Sequence, residues 1–118
     1  MIFIKFKVEK CHFNPADVAC SLNGYRNIIS GNETDLTIAL AKVGPIPIGF
    51  NAGLPSFQFY RSGIYYDPKC DSNIDYIMLL TGYGTLETSQ DYFKVKNSWG
   101  TSWGMRGYVL VARNKNNA

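Results

Sequence analysis

The sequence has little net charge of either sign. Its 118 residues include 12 Lys and Arg against 9 Asp and Glu, a formal net charge of +3. Nucleic-acid binders and polybasic membrane binders usually carry a far larger basic excess, gathered on one face. We therefore expect no nucleic-acid partner and no binding to an anionic membrane surface.

Long apolar runs are also lacking. No run approaches the roughly 18 residues that a transmembrane helix requires, and Lys5 and Lys7 interrupt the only apolar stretch near the N-terminus. A secretory signal peptide has a continuous apolar core instead. We expect neither a membrane span nor a signal peptide, and residues 1–10 form an atypical N-terminal segment. Within it, the alternation over residues 2–8 predicts an edge strand.

Residue types that hold metals or phosphates are few. The chain has three cysteines, Cys11, Cys20 and Cys70, and one histidine, His12. No two cysteines have the Cys-x-x-Cys spacing of zinc or redox sites, and no glycine-rich loop precedes a helix. No cluster of His, Asp and Glu has metal-ligand spacing either. We expect no metal ion and no cofactor.

Cys11 and His12 are adjacent, which raises the question of a catalytic pair. Consecutive side chains of an extended segment point in opposite directions, so the sulfur and the imidazole would diverge. We therefore predict that His12 is exposed to solvent. The odd number of cysteines suggests partner cysteines outside the chain, and a bridge between Cys11 and Cys20 is the alternative within it.

Aromatic residues are abundant, with 8 Tyr, 7 Phe and 2 Trp beside 11 Gly and 5 Pro. This mixture favours strands and turns over a helical bundle. Short apolar segments bounded by turn residues predict strands near residues 25–29, 46–50, 63–66, 75–83, 91–97 and 107–113. Their spacing is that of an antiparallel sheet or barrel, so we predict an α+β domain that is mostly β.

One helix is predicted over residues 33–43. Asn32 suits its N-cap, the acidic Glu33 and Asp35 suit its first turn, and Gly44-Pro45 ends it. Its apolar face is formed by Leu36, Ala39, Leu40 and Val43. Residues 32–34 (Asn-Glu-Thr) are also a formal N-glycosylation sequon. Because the sequon coincides with the cap, capping is the preferred interpretation.

Four segments occur in an order that matches a known family: GPIPIGFNAG (44–53), FYRSGIYYDPKC (59–70), LLTGYGT (79–85) and YFKVKNSWGTSWGMRGYVLVARNKNN (92–117). Together they resemble the right-hand, β-barrel half of the papain-like cysteine proteases, cathepsin L in particular. CHFNP (11–15) is similar to the start of that half. The resemblance implies a barrel domain over residues 11–118, truncated at its C-terminus.

The resemblance implies a reaction and a role for Asn97. Papain-like enzymes hydrolyse peptides through an acyl-thioenzyme, and an imidazolium stabilises their thiolate nucleophile. The barrel half supplies the histidine, and the Asn of its NSWG segment holds the ring. By this resemblance Asn97 is the orienting amide, and Trp99 shields the amide and the ring from water. The alternative is that Asn97 is a turn residue that ends a strand.

Two catalytic residues of the family have no counterpart in the sequence. Nothing resembles the Cys-Gly-Ser-Cys-Trp segment of the nucleophile, and Tyr76 stands where the family has its histidine. A phenol of reference pKa about 10 neither accepts a thiol proton at useful rates nor carries the positive charge that stabilises a thiolate. We therefore predict that the chain alone hydrolyses nothing.

The resemblance also implies substrate-facing residues. The residue after the histidine is small in the family and leaves room in the main specificity pocket, which Ile77 would fill. Gly49, Ile74 and Asp75 fall at positions that line this pocket and the leaving-group side, and Trp99 completes the set. For Gly49, Ile74 and Asp75 the alternative interpretations are, in that order, a turn glycine, a core aliphatic residue and the start of a strand.

The resemblance assigns Cys11 and Cys70 to disulfides. The counterpart of Cys11 pairs with a cysteine of the left-hand domain, and that of Cys70 with a cysteine just past residue 117. Neither partner is in the sequence, so we expect both cysteines without partners and marginal stability of the isolated domain. Cys20 has no counterpart.

Three interpretations are open. The chain is a catalytically inactive cathepsin L-like homologue, a non-catalytic module that binds a separate left-hand domain or a protease inhibitor, or an incomplete gene model of an active cathepsin. Peptide or protein substrates, and a lysosomal or extracellular location, follow from the resemblance alone.

Overall fold

A five-stranded sheet organises the residues that the computed structural model describes, 10–115. Its strands are β1 Ile46–Phe50, β2 Ile64–Tyr65, β3 Tyr76–Thr85, β4 Asp91–Lys96 and β5 Tyr108–Ala112. They lie in the order β1-β3-β4-β5-β2, antiparallel except for β2, which runs parallel to β5. The predicted α+β domain, mostly β, is confirmed. The edge strand predicted over residues 2–8 lies outside the described residues.

The helix α1, Glu33–Val43, has the predicted bounds. Asn32 Oδ1 accepts a hydrogen bond from Asp35 N at 2.9 Å, and Gly44 N donates to Leu40 O at 3.1 Å with Gly44 at φ +111°. Leu40 is buried, whereas Val43 is 83% exposed. The predicted apolar face is thus covered except at its last turn.

No helix within residues 10–115 is long and apolar enough to cross a membrane.

Two short helices were not predicted, the 3₁₀ helix Pro15–Asp17 and α2 Pro55–Gln58. Each begins with a proline, whose fixed φ suits the first helical position. Asn14 caps the 3₁₀ helix by accepting a hydrogen bond from Ala16 N at 3.2 Å. The second helix matters for the site, because its Phe57 is fully buried in the core.

The strand predicted near residues 25–29 is wrong. The segment has no strand pairing within the described sheet, and Tyr25 and Ile29 are 91% and 69% exposed. A strand needs a neighbour that pairs with its backbone N–H and C=O groups. The aromatic and β-branched composition of the segment carries no information about whether such a neighbour exists.

The sheet curls so that its two edge strands approach each other, as in a barrel. The ring centroids of Phe50 on β1 and Tyr65 on β2 are 6.2 Å apart, and Phe57 lies 4.7 Å from the first and 5.3 Å from the second. A β-bulge between Leu80 and Gly82 shifts the register of β3 and β4 and increases the local twist.

The two sides of the central strands differ in burial. Leu80, Val95 and Val109, one each from β3, β4 and β5, are fully buried on the core side. The alternation of β3 places Ile77 and Leu79 on the other side, where they are 64% and 37% exposed. This exposed side of β1, β3 and β4 carries part of the candidate site.

Candidate active site

The register of β3 and β4 brings the key sequence positions together. Leu79 pairs with Lys96 in this antiparallel ladder, so the start of β3 lies beside the residues that follow β4. Tyr76 is the first residue of β3, and Asn97 comes directly after β4. The pairing therefore places Tyr76 next to the segment that begins at Asn97.

Asn97 is a buried amide, 6% exposed. Its backbone N donates to Gly107 O at 2.9 Å, and its Oδ1 accepts a hydrogen bond from Ser98 N at 2.6 Å. Its Nδ2 is buried and has no hydrogen-bond partner among the described residues. An unpaired buried donor destabilises a fold by about 1–3 kcal/mol, so such a group is usually retained for a reason.

Tyr76 lies beside this amide but does not bond to it. Its hydroxyl shares a short hydrogen bond with Ser98 Oγ. Its ring packs on Trp99 with the centroids 5.5 Å apart. The phenol is thus held by the two residues that follow Asn97 in the sequence. Ser98 was given no role by the sequence reasoning, although it lies inside the NSWG segment.

Trp99 joins the candidate site to the aromatic core. Its ring is 5.6 Å from Phe57 and 5.3 Å from Trp103, and it is 37% exposed. Trp103 is itself fixed, since its Nε1 donates to Gln58 O at 3.0 Å. The indole of Trp99 therefore contacts the tyrosine on one side and the core on the other.

Gly49 and Ile74 are in close contact. A Cβ atom built on Gly49 would lie 2.8 Å from Ile74 Cγ2, so no side chain fits at position 49 unless Ile74 moves. Both residues line a groove of about 850 Å³ that also reaches Leu36 of α1. Ile74 is 61% exposed, so it is not the core aliphatic residue of the alternative interpretation.

Asp75 is fastened to the loop that follows β1. Its Oδ1 accepts a hydrogen bond from Ala52 N at 2.8 Å, and its backbone N donates to Phe50 O at 3.2 Å. The neighbouring Asn51, which is buried, donates through Nδ2 to Asp71 Oδ1 at 2.7 Å. Sequence reasoning missed Asn51, since nothing in its local sequence indicates burial.

Ile77 of β3 is paired with Gly49 of the adjacent strand β1. Together with Asn97, Ser98 and Lys96 it lines an open pocket of about 380 Å³. Four predicted site residues thus line two depressions that share Pro47, Gly49 and Ile74 the first, Ile77 and Asn97 the second. Asp75, Tyr76 and Trp99 line neither of the two.

The three cysteines form no disulfide with one another, so the Cys11–Cys20 bridge is absent. Cys11 and Cys20 are exposed, as is His12. Burial raises the pKa of the Cys70 thiol, and the nearby Asp71 and Asp67 raise it further. A nucleophilic cysteine needs the opposite shift, so Cys70 does not resemble an activated thiol.

A polar network surrounds Ser56 at the start of α2. Ser56 Oγ donates to Asp67 Oδ2 at 2.5 Å and lies 3.0 Å from the hydroxyl of Tyr65. The hydrogen bonds from Ser56 and from Lys69 N lower the pKa of Asp67, whereas burial raises the pKa of Tyr65.

Within residues 10–115 no group of three or more His, Cys, Asp or Glu side chains is placed to hold a metal ion.

The sequence matches known proteins over nearly its whole length. Residues 3–118 match the model of the papain family of cysteine proteases. The chain is 53% identical over 110 residues to a cathepsin L-like peptidase of Aedes aegypti, covering 92% of this chain and 32% of that protein. It is 50% identical over 111 residues to cathepsin K of Mus musculus, covering 93% and 33%. It thus spans about a third of the length of these relatives.

Solved structures agree with the sequence match. A digestive procathepsin L2 proteinase from the larval midgut of Tenebrio molitor superposes with a TM-score of 0.83 at 42% identity, over 91% of this chain and 34% of that one. Bromelain from Ananas comosus gives a TM-score of 0.67 at 36% identity, over 71% and 38%. The resemblance drawn from the sequence segments is confirmed, and the chain belongs to the papain family of cysteine proteases.

Proposed function

We propose that this chain is the barrel half of a cathepsin L-like cysteine endopeptidase whose catalytic histidine position is occupied by Tyr76. The observation that carries the proposal is the placement of Tyr76 beside the buried Asn97 amide, with the hydroxyl bonded to Ser98. In this assignment the chain contributes to peptide binding but has no catalytic pair of its own.

Asn97 is the proposed orienting amide. Catalysis by a thiol needs an imidazolium opposite the sulfur, and a fixed acceptor on the far ring nitrogen keeps that imidazole in the required tautomer. The amide oxygen of Asn97 suits such a task, because the bonds to Gly107 and Ser98 set its position and Oδ1 has a second lone pair that can accept from a ring N–H. In this chain the adjacent ring is a phenol, which leaves the amide without an imidazole to orient.

The absence of activity follows from the missing proton carrier. A thiol gives up its proton to a neighbouring base and becomes nucleophilic only as the thiolate. The proposal assigns this role to no residue of the chain, since His12 lies in the exposed N-terminal part of the described residues and Cys70 has a raised pKa. Peptide hydrolysis by the chain alone is therefore not expected.

Five residues are proposed to face a peptide substrate: Gly49, Ile74, Asp75, Ile77 and Trp99. The close approach of Ile74 to Gly49 and their shared groove support the first two. Ile77 projects from the exposed side of β3, where its bulk reduces the room for a substrate side chain. Peptide or protein ligands, and a lysosomal or extracellular location, belong to this proposal.

A separate left-hand domain is the proposed partner of the exposed side of β3. Ile77 and Leu79 lie next to one another on this side, and Pro47 faces Leu79 across the β1–β3 ladder. Exposed apolar residues on adjacent strands are typical of a surface that another domain covers. Cys11 would form its bridge with that domain, whereas the proposed partner of Cys70 is a cysteine just past residue 117.

A peptidase assay tests the main proposal. The purified chain is incubated with a fluorogenic dipeptide at acidic pH in the presence of reductant, with an active cathepsin L as the positive control. We expect no turnover above buffer. A rate that disappears after alkylation of the thiols would contradict the proposal.

The role of Asn97 has its own test. In the variant Tyr76→His, the introduced imidazole is followed by ¹H–¹⁵N NMR, with the wild type identifying the signals of His12. We expect a single tautomer in Tyr76→His and a mixture in the double variant with Asn97→Ala. Equal tautomer populations in the two variants would remove Asn97 from the proposed role.

The second candidate function is that of a non-catalytic binding module, which the same exposed side of β3 favours. Purified cathepsins and their protein inhibitors are tested for binding to the immobilised chain. Binding that is lost in Ile77→Ser, but kept in a variant of the distant exposed Tyr83, would favour the module. Equal binding of both variants would place the contact elsewhere.

A further inference from the structure

The side chain of Asn32 uses only one of its two polar atoms to cap α1. Its Oδ1 accepts the hydrogen bond from Asp35 N at 2.9 Å, while Asn32 O accepts from Leu36 N at 3.1 Å. The cap bond involves the carbonyl oxygen of the amide, and Nδ2 takes no part in it. Capping of the helix by Asn32 is therefore compatible with a covalent modification of Nδ2.

The three residues of the sequon differ in their exposure to solvent. Asn32 and Thr34 are exposed, whereas Glu33 is half-buried and its Oε2 accepts a hydrogen bond from Asn114 N at 2.5 Å. Glu33 thus contacts the end of the sheet, and the two residues that define the sequon face solvent. A bulky polar glycan is compatible with a fold only where its attachment residue faces water.

We propose that Asn32 is an N-glycosylation site whose glycan is borne by the capping residue of α1. The proposal rests on the lysosomal or extracellular location proposed above, since the donor is a lipid diphosphate-linked oligosaccharide of the secretory pathway. In the transfer, Nδ2 forms a bond to C1 of the first sugar and the bond from C1 to the diphosphate oxygen breaks. The lipid diphosphate leaves with the electron pair, and Nδ2 loses one proton to a base.

The product keeps the helix cap. Substitution at Nδ2 leaves the amide carbonyl intact, so Oδ1 still accepts the hydrogen bond from Asp35 N. Asn32 also lines the groove of about 850 Å³ that contains Gly49 and Ile74. Because Asn32 is exposed, the glycan would extend from this groove into solvent and would not enter the sheet or the core.

The test expresses the full chain behind a cleavable secretory leader in eukaryotic cells, and only protein recovered from the medium is analysed. The leader sends the protein through the secretory pathway whatever its natural location. The result therefore tests the site alone, and the proposed location is tested separately. The readouts are the electrophoretic shift on treatment with peptide N-glycosidase and the mass of the peptide that contains Asn32.

Matched variants separate the glycan from the cap. Asn32→Asp keeps an N-cap oxygen and removes the acceptor nitrogen, while Thr34→Ala removes the sequon hydroxyl and leaves Asn32 in place. Thr34→Ser retains the sequon. Tyr25→Thr creates a sequon at Asn23 in the exposed segment before the helix, which provides a positive control for transfer to this chain.

We expect one glycan on the wild type and on Thr34→Ser, none on Asn32→Asp or Thr34→Ala, and two on Tyr25→Thr. Peptide N-glycosidase converts the modified Asn32 to Asp, so the treated wild type should have the thermal midpoint of Asn32→Asp. Secreted wild type without a glycan, alongside Tyr25→Thr that carries one, would overturn the proposal.

Discussion

The hydroxyl groups of Tyr76 and Ser98 share a hydrogen bond that ties the first residue of β3 to the residue after Asn97. The same tyrosine ring packs on Trp99, so the phenol is held by both residues that follow the buried amide. The place next to Asn97 is therefore filled by a side chain that is bonded to its surroundings rather than to the amide.

Removal of this hydrogen bond tests its contribution to stability. Tyr76→Phe keeps the ring against Trp99 but deletes the hydroxyl. We expect the free energy of unfolding to fall by about 0.5–1.5 kcal/mol, the usual net worth of one hydrogen bond. Urea unfolding measures the change. In a double-mutant cycle with Ser98→Ala, additive losses would show that the two hydroxyl groups act independently.

The contact between Gly49 and Ile74 predicts a steric effect. In Gly49→Ala the new methyl group would lie 2.8 Å from Ile74 Cγ2. Because Ile74 is 61% exposed and can turn towards solvent, we expect a loss of about 1 kcal/mol or less, the low end of the range for overpacking. The control is Gly82→Ala, where the nearest atom is 3.8 Å from the added Cβ. Thermal or urea unfolding compares them, and the added change Ile74→Ala should restore stability to Gly49→Ala. No restoration would place the strain elsewhere.

Two carboxylates predict a loss of stability in acid. The hydrogen bond from Ser56 and that from Lys69 N lower the pKa of Asp67 below its ordinary 3.8, and the bonds from Thr85 and Asn114 do the same for Asp91. A group with a lowered folded-state pKa stabilises the fold above the unfolded value, and this contribution is lost as the pH falls through the folded value.

The thermal midpoint should therefore decline as the pH falls below about 4, near the unfolded pKa of Asp. Asp67→Asn and Asp91→Asn should each start from a lower midpoint at pH 6 and show a shallower decline than the wild type. Calorimetry at several pH values between 6 and 3 provides the comparison. Parallel curves for all three proteins would contradict the assigned hydrogen bonds.

The cap of α1 predicts a difference between two substitutions at one position. Asn32→Ala removes the acceptor for Asp35 N and should lower the free energy of unfolding by about 0.5–2 kcal/mol. Asn32→Asp keeps an acceptor and should change it little. Both proteins are made in bacteria, where the residue stays unmodified, and their urea midpoints are compared. Similar losses in the two variants would mean that the cap is not the cause.

Local signals were sufficient for α1 and for most of the sheet. The bounds of the helix follow from Asn32 and Gly44, which act on the backbone within a few residues of themselves. The five predicted segments after residue 45 match β1 to β5 within a few residues, because their turn residues mark where each strand ends. These features need no knowledge of distant parts of the chain.

Features that depend on distant partners were not predictable in the same way. Residues 25–29 have the composition of a strand but no neighbour in the described sheet, and the parallel pairing of β2 with β5 has no local signal. The family resemblance predicted that position 76 lies near Asn97. The hydrogen bond between Tyr76 and Ser98 was not predicted, because it depends on the register between β3 and β4. The buried Asn51 amide likewise has its hydrogen-bond partner, Asp71, twenty residues further along the chain.

The pairing of β2 with β5 has a consequence for synthesis of the chain. Ile64 pairs with Leu110, so β2 leaves the ribosome well before its partner strand has been translated. Until then its backbone is an unsatisfied edge that can pair with the wrong strand or with another nascent chain. The sheet becomes complete only with its last strand, and chaperones that protect unpaired edges should raise the yield of folded protein.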